Sequence, residues 1–181
     1  MLVIHPTDRT TAFLSTIYNG NDNYTLLTQD NPPEEVRRAI HHLPKSEPLL
    51  LLGHGSGDGL FSRQIDTCVF DRIIVGHKHA FYLRGRSNIV GIWCNAEQFA
   101  RKEGLHGLFT GMIISEMSEA QEYGITTTEE ELLRENEVFA QRISALYNGG
   151  TPLWKVPDEL KILVNRWTPL TEFNYNNIFY L

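Results

Sequence analysis

Apolar positions along this chain fall into two patterns. The first is an unbroken run bounded by turn residues: Leu49–Leu52, between Pro48 and Gly53, and residues 89–93, which follow the polar stretch 84–88. Runs of this kind predict strands buried on both faces. The second pattern places apolar residues three or four apart, which predicts amphipathic helices. Thr10 or Thr11 caps one such helix, with Phe13, Leu14, Ile17 and Tyr18 on one face. Residues 30–35 open another with prolines and acids, and Val36, Ala39, Ile40 and Leu43 follow before Pro44. Residues 128–131 form a capping-box pattern ahead of Leu132, Phe139, Ile143 and Leu146, and Asn148-Gly149-Gly150 ends that helix.

Shorter signals fill the gaps. Residues 1–4 and 24–28 read as strands, 60–61 and 69–75 as short extended pieces, and 77–83 as a short helix. A helix over 97–103 stops at Gly104, and a mostly apolar strand follows over 108–114. A last helix is predicted over 160–167 and an edge strand over 177–181. Strands alternating with helices predict one α/β domain over residues 1–181, a three-layer sandwich about a mostly parallel sheet.

Composition narrows the classes of function. A net charge of −6 and a pI near 5.6 argue against a nucleic-acid phosphate binder. No segment approaches the eighteen apolar residues of a membrane span, and the N-terminus lacks the basic start and long apolar run of a signal peptide. Cys68 and Cys94 form neither a disulfide framework nor a zinc spacing pattern. A cytoplasmic protein with free thiols, no cofactor and no metal is expected.

The candidate chemistry lies at the ends of the two apolar runs. Leu49–Leu52 leads through Gly53 into His54-Gly55-Ser56-Gly57-Asp58-Gly59, and the second run ends at Trp93-Cys94. Open α/β sheets bind ligands at the carboxyl ends of their strands. A thiol is only slightly ionised at neutral pH and needs a basic neighbour to act as a nucleophile. His54 beside Cys94 would supply that base.

An apolar block followed by His-Gly, then a second apolar block ending in cysteine, resembles the caspase-like cysteine peptidases, the group of caspases, legumain, gingipains, clostripain and separase. The separation of 40 residues between His54 and Cys94 is compatible with that group. The resemblance covers roughly residues 45 to 120. It implies a His54–Cys94 dyad, an oxyanion hole from the backbone N–H groups of Gly55 and Cys94, and a peptide or protein substrate. It also implies that the segment after the next strand, with Ser115, Glu116, Glu119 and Glu122, lines the pocket for the residue before the scissile bond. Acids there favour Arg or Lys by charge-assisted hydrogen bonding. Trp93 and Asp58 join the residues expected near substrate, although Asp58 also suits a turn-capping role. Trp93 stands where the family carries a small residue.

Two other readings use the same residues. A caspase-like domain that binds a partner without cleaving it would accommodate Trp93. Residues 51–56 are also similar to the strand-end His-Gly-Ser of sirohydrochlorin-type chelatases; no second ligand stands at a telling position, although His77 and His79 are available.

Overall fold

In the computed structural model, residues 1–63 and 70–181 are described. Cys68 and the start of the extended piece expected at 69–75 lie outside them. The chain runs through β1 (Leu2–Ile4), a 3₁₀ turn (Ala12–Ile17), β2 (Thr25–Leu27), α1 (Pro33–His42) and β3 (Leu49–Leu52). A small antiparallel unit follows: β4 (His54–Ser56), β5 (Gly59–Arg63) and β6 (Phe70–Gly76). Next come α2 (Ala80–Leu83), β7 (Ile89–Ile92), α3 (Ala96–Glu103), β8 (Gly107–Thr110) and α4 (Met117–Glu122). The last part holds α5 (Glu129–Asn148), α6 (Val156–Ile162), α7 (Pro169–Asn176) and β9 (Ile178–Tyr180).

The main sheet has the order β2-β1-β3-β7-β8-β9, parallel throughout except for β9. The two apolar runs are therefore neighbours, paired Leu49 to Ile89 through Leu52 to Ile92. Strand side chains alternate between faces, and the four leucines of β3 divide accordingly. Leu49 and Leu51 join Val36, Ile40 and Phe99 in one core, while Leu50 and Leu52 join Ile17, Phe139 and Ile143 in the other. All four are fully buried, and each contributes about 1.5–3 kcal/mol by burial. Helices flank both faces of the sheet, an arrangement compatible with a three-layer sandwich.

Local capping follows the predicted chemistry in several places. Thr128 Oγ1 accepts the Glu131 N–H at 3.1 Å to start α5, and Gly104 ends α3 at φ 66°. The C-terminal end of α1 is held by the buried Arg86 guanidinium, which donates to the carbonyls of Leu43, Pro44 (2.8 Å) and Glu47 (3.4 Å). Arg86 thereby ties the loop before β7 to the loop before β3.

Three expectations are corrected. The glycine-rich stretch after His54, whose composition predicts a loop, opens as a strand, β4, pairing His54 with Phe61 and Ser56 with Gly59. The helix expected at 160–167 is instead α6, which starts earlier and ends at Ile162, and a separate helix, α7, begins at Pro169, where Thr168 caps it by accepting the Thr171 N–H at 3.3 Å. The strand expected at 108–114 ends at Thr110, and α4 was not foreseen. Among the described residues, no helix is long and apolar enough to cross a membrane.

Candidate functional site at the strand ends

Parallel pairing places His54 and Cys94 at equivalent heights, each two residues past the Leu52–Ile92 pair. The ladder continues one step further, Gly53 N–H donating to the Ile92 carbonyl at 3.0 Å. On the other side of β7, the Thr110 hydroxyl accepts the Trp93 N–H at 3.1 Å and donates to the Trp93 carbonyl at 2.8 Å. The backbone entering Cys94 is thus held from both flanks. Asn95 then adopts a left-handed φ of 66° and begins α3. This tight strand-to-helix turn puts Cys94 at its apex.

His54 and Cys94 line one crevice of about 20 Å³ with Thr11, Gly53, Ile113 and Ser115. That volume admits about one water molecule and no peptide side chain. Within it the two groups face different partners. The sulfur lies 3.6 Å from the Ile113 carbonyl and 3.8 Å from Glu119 Oε1. Part of the Cys94 surface stays accessible, yet close packing and then the Glu119 carboxylate push the thiol up to about 12. The resting sulfur is a thiol.

The histidine belongs to a polar network that sequence reasoning missed. His54 Nε2 lies 2.9 Å from Thr10 Oγ1, 3.1 Å from Asp8 Oδ2 and 3.3 Å from Arg63 Nη1. Asp8 Oδ1 accepts from the N–H groups of Thr10 (2.9 Å) and Thr11 (3.0 Å) and from both hydroxyls. Burial alone would raise the Asp8 carboxyl, but the His54 charge and these hydrogen bonds outweigh it and hold it below its usual value. Asp8 and Thr10 follow β1, whose Ile4 pairs with Leu51, so the loop after β1 lies beside the end of β3. The signal available was the polar cluster Thr7-Asp8-Arg9-Thr10-Thr11 directly after a strand.

The segment after β8 carries Ser115, Glu116 and Glu119, and two buried asparagines hold it. Asn174 of α7 accepts the Ile114 N–H at 2.8 Å and donates to its carbonyl at 3.0 Å; Asn136 of α5 donates to the Ser115 carbonyl at 3.0 Å. The two glutamates then part company. Glu119 folds back over the start of α4, its Oε2 accepting from Ser115 N–H (2.7 Å) and Glu116 N–H (3.0 Å), and burial raises its carboxyl. Glu116 instead forms an ion pair with Arg63 of β5. It also lines a cleft of about 310 Å³ with Phe13, Met117, Leu132, Glu129 and Glu137.

Of the remaining expected residues, Trp93 lines this crevice from below and Asp58 lies apart from it. Trp93 is buried, its indole N–H donating to the Ser56 carbonyl at 3.0 Å, and its ring lies against Gly55, where an added Cβ would be 2.1 Å from Cδ1. Trp93 is thus a core group and at the same time one of the residues lining the His54–Cys94 crevice. Asp58 sits at the β4–β5 turn, where Lys102 Nζ donates to it at 2.9 Å. His77 and His79 border a different hollow: His77 Nδ1 is 2.8 Å from Glu103 Oε1, and His79 Nδ1 accepts the Gly76 N–H at 3.2 Å. The expected oxyanion donor Gly55 is in β4, directly after His54.

The six-stranded, mostly parallel sheet with helices on both faces makes this an α/β protein with a polar site at its strand ends. Comparisons with protein-family models, curated proteins and solved structures find no match to the chain.

Proposed function

We propose that this protein is a caspase-like cysteine peptidase that rests in a latent state. The observation that carries the proposal is the shared position of His54 and Cys94, two residues past paired positions on adjacent parallel strands and lining one crevice. Cys94 is the nucleophile. As its sulfur attacks the substrate carbonyl, the thiol proton passes to His54, which then delivers it to the departing amine; water hydrolyses the thioester that remains. Asp8 orients the imidazole. The N–H groups of Cys94 and Gly55 receive the oxyanion. Glu116, already paired with one guanidinium, suits a basic residue before the scissile bond.

Latency follows from the sulfur's surroundings. A thiol held up to about 12 beside Glu119 must lose that neighbour, or gain the His54 contact, before it reacts. The same observation favours the alternative of a domain that binds peptides without cleaving them.

An electrophilic probe separates the two: an Arg-containing peptide chloromethyl ketone, followed by mass mapping of the modified residue. The peptidase proposal expects alkylation of Cys94 that depends on His54 and outpaces the reaction with a neutral analogue. A binding domain leaves Cys94 unmodified at neutral pH.

A further inference from the structure

Arg63 ends β5, and its guanidinium reaches into the polar network described above. Nη1 pairs with Glu116 and lies 3.3 Å from His54 Nε2, 3.4 Å from Thr10 Oγ1 and 3.7 Å from Asp8 Oδ2. These contacts contain a conflict at one atom. An imidazole nitrogen offers a single in-plane position, which holds either a proton or a lone pair. The Asp8 carboxylate only accepts, so its contact requires a proton on Nε2. The Arg63 guanidinium only donates, so its contact requires a bare Nε2. The two contacts are alternatives, and changing between them moves the ring proton from one nitrogen to the other.

We propose that Arg63 is an internal stand-in for the substrate's basic side chain: it occupies the Glu116 carboxylate that the neighbouring cleft offers to a guanidinium and, from there, caps His54. Its consequence for rate rests on the peptidase proposal; its consequence for binding does not. While Arg63 donates to Nε2, that lone pair is blocked. Once a basic side chain takes Glu116, Arg63 is displaced, Nε2 donates to Asp8, and the other ring nitrogen carries the lone pair.

The exchange is feasible because both partners stand at the edge of the site. The Arg63 and Glu116 side chains keep 13% and 21% of their surface exposed. Glu116 also faces the cleft of about 310 Å³, where Glu129 and Glu137 add negative charge and, among the described lining residues, Arg9 is the one cation. Replacing one guanidinium by another conserves the charge-assisted pairing. A neutral side chain has nothing to offer Glu116 and leaves Arg63 in place. Basic specificity is thus imposed at two points, attraction to the carboxylate and eviction of the internal arginine.

The test measures binding of N-acetyl-arginine amide by calorimetry in the Cys94→Ala background, where no chemistry intervenes. Adding Arg63→Gln should tighten binding at least about tenfold, adding Glu116→Gln as well should abolish the gain, and N-acetyl-norleucine amide should show no gain in any variant. Binding that is unchanged or weaker in Arg63→Gln overturns the inference. Should that variant fail to fold, the ring ¹⁵N signals of His54 in the unmodified chain decide. Saturating N-acetyl-arginine amide is expected to convert Nε2 from acceptor to proton-bearing, and an unaltered ring state overturns the inference. Neither readout involves cleavage, so a peptide that no variant cuts would contradict the peptidase proposal and leave these measurements to decide the role of Arg63.

Discussion

Asp8 Oδ2 lies 3.1 Å from Nε2 of His54, although the two residues are 46 positions apart in the chain. The contact exists because β1 and β3 are parallel neighbours, which brings the loop after one strand beside the end of the other. It gives the histidine an orienting carboxylate held in turn by Thr10 and Thr11.

Replacing Asp8 by Asn should lower kcat/KM for peptide cleavage by at least about tenfold, up to the 10²–10⁴ that general acid–base catalysis supplies, with KM nearly unchanged. The substitution also has a signature in stability. The folded-state carboxyl is held below its usual 3.8, so folding favours the ionised form. Its stabilisation is fully present above the unfolded value and is lost as pH falls through the folded one. The Tm difference between wild type and D8N should therefore be largest near neutral pH and shrink as the pH falls below about 4.

The Cys94 thiol should react slowly with iodoacetamide at pH 8, and its rate should climb through pH 10 without levelling, because burial and Glu119 push it up to about 12. Glu119→Gln keeps an oxygen to cap α4 and removes the charge, so it should speed alkylation at pH 8. Mass spectrometry in a C68S background reads the rate at Cys94 alone. A plateau near pH 9 in the wild type would contradict this account of the sulfur's surroundings.

How far these features are legible in the sequence depends on how local their causes are. The neighbouring parallel strands are readable because a run of leucines must be buried on both faces. The β4–β5 hairpin is not, since His54-Gly55-Ser56-Gly57-Asp58-Gly59 has the composition of a loop. Its pairing depends on glycines that let Trp93 and β6 approach. Helix α4 escapes notice because its six residues show no apolar period; the side chain that accepts its N-cap N–H is Glu119, which composition alone assigns to an acidic surface. Asp8, Thr10 and Arg63 join the site through strand order, and single-chain periodicity carries no information about that.

Gly55→Ala tests the packing beneath the site. The new Cβ would fall 2.1 Å from Trp93 Cδ1 and 2.3 Å from the Gly59 carbonyl oxygen. Neither neighbour is free to move, so a loss of about 1–3 kcal/mol is expected, in the range of overpacked cores. Urea denaturation measures it, and an unchanged midpoint would show that the indole and the hairpin yield easily.

The two glutamates should separate in a panel of fluorogenic peptides differing only in the residue before the scissile bond. Glu116→Gln should cut the preference for Arg over a neutral residue at least about tenfold, since a charge-assisted pair is lost. Glu119→Gln should leave that preference intact, because its carboxylate is turned onto the start of α4. The opposite ranking would move the specificity pocket to Glu119.

Peptidase action at the His54–Cys94 crevice is tested most directly by cleavage of an Arg-containing fluorogenic peptide by wild type, Cys94→Ala and His54→Ala. Circular dichroism melts should confirm that both variants remain folded. The expected result is measurable turnover by the wild type and none by either variant at matched concentration. Turnover that persists undiminished in Cys94→Ala, or its absence from both wild type and Arg63→Gln across all basic peptides, would contradict the account.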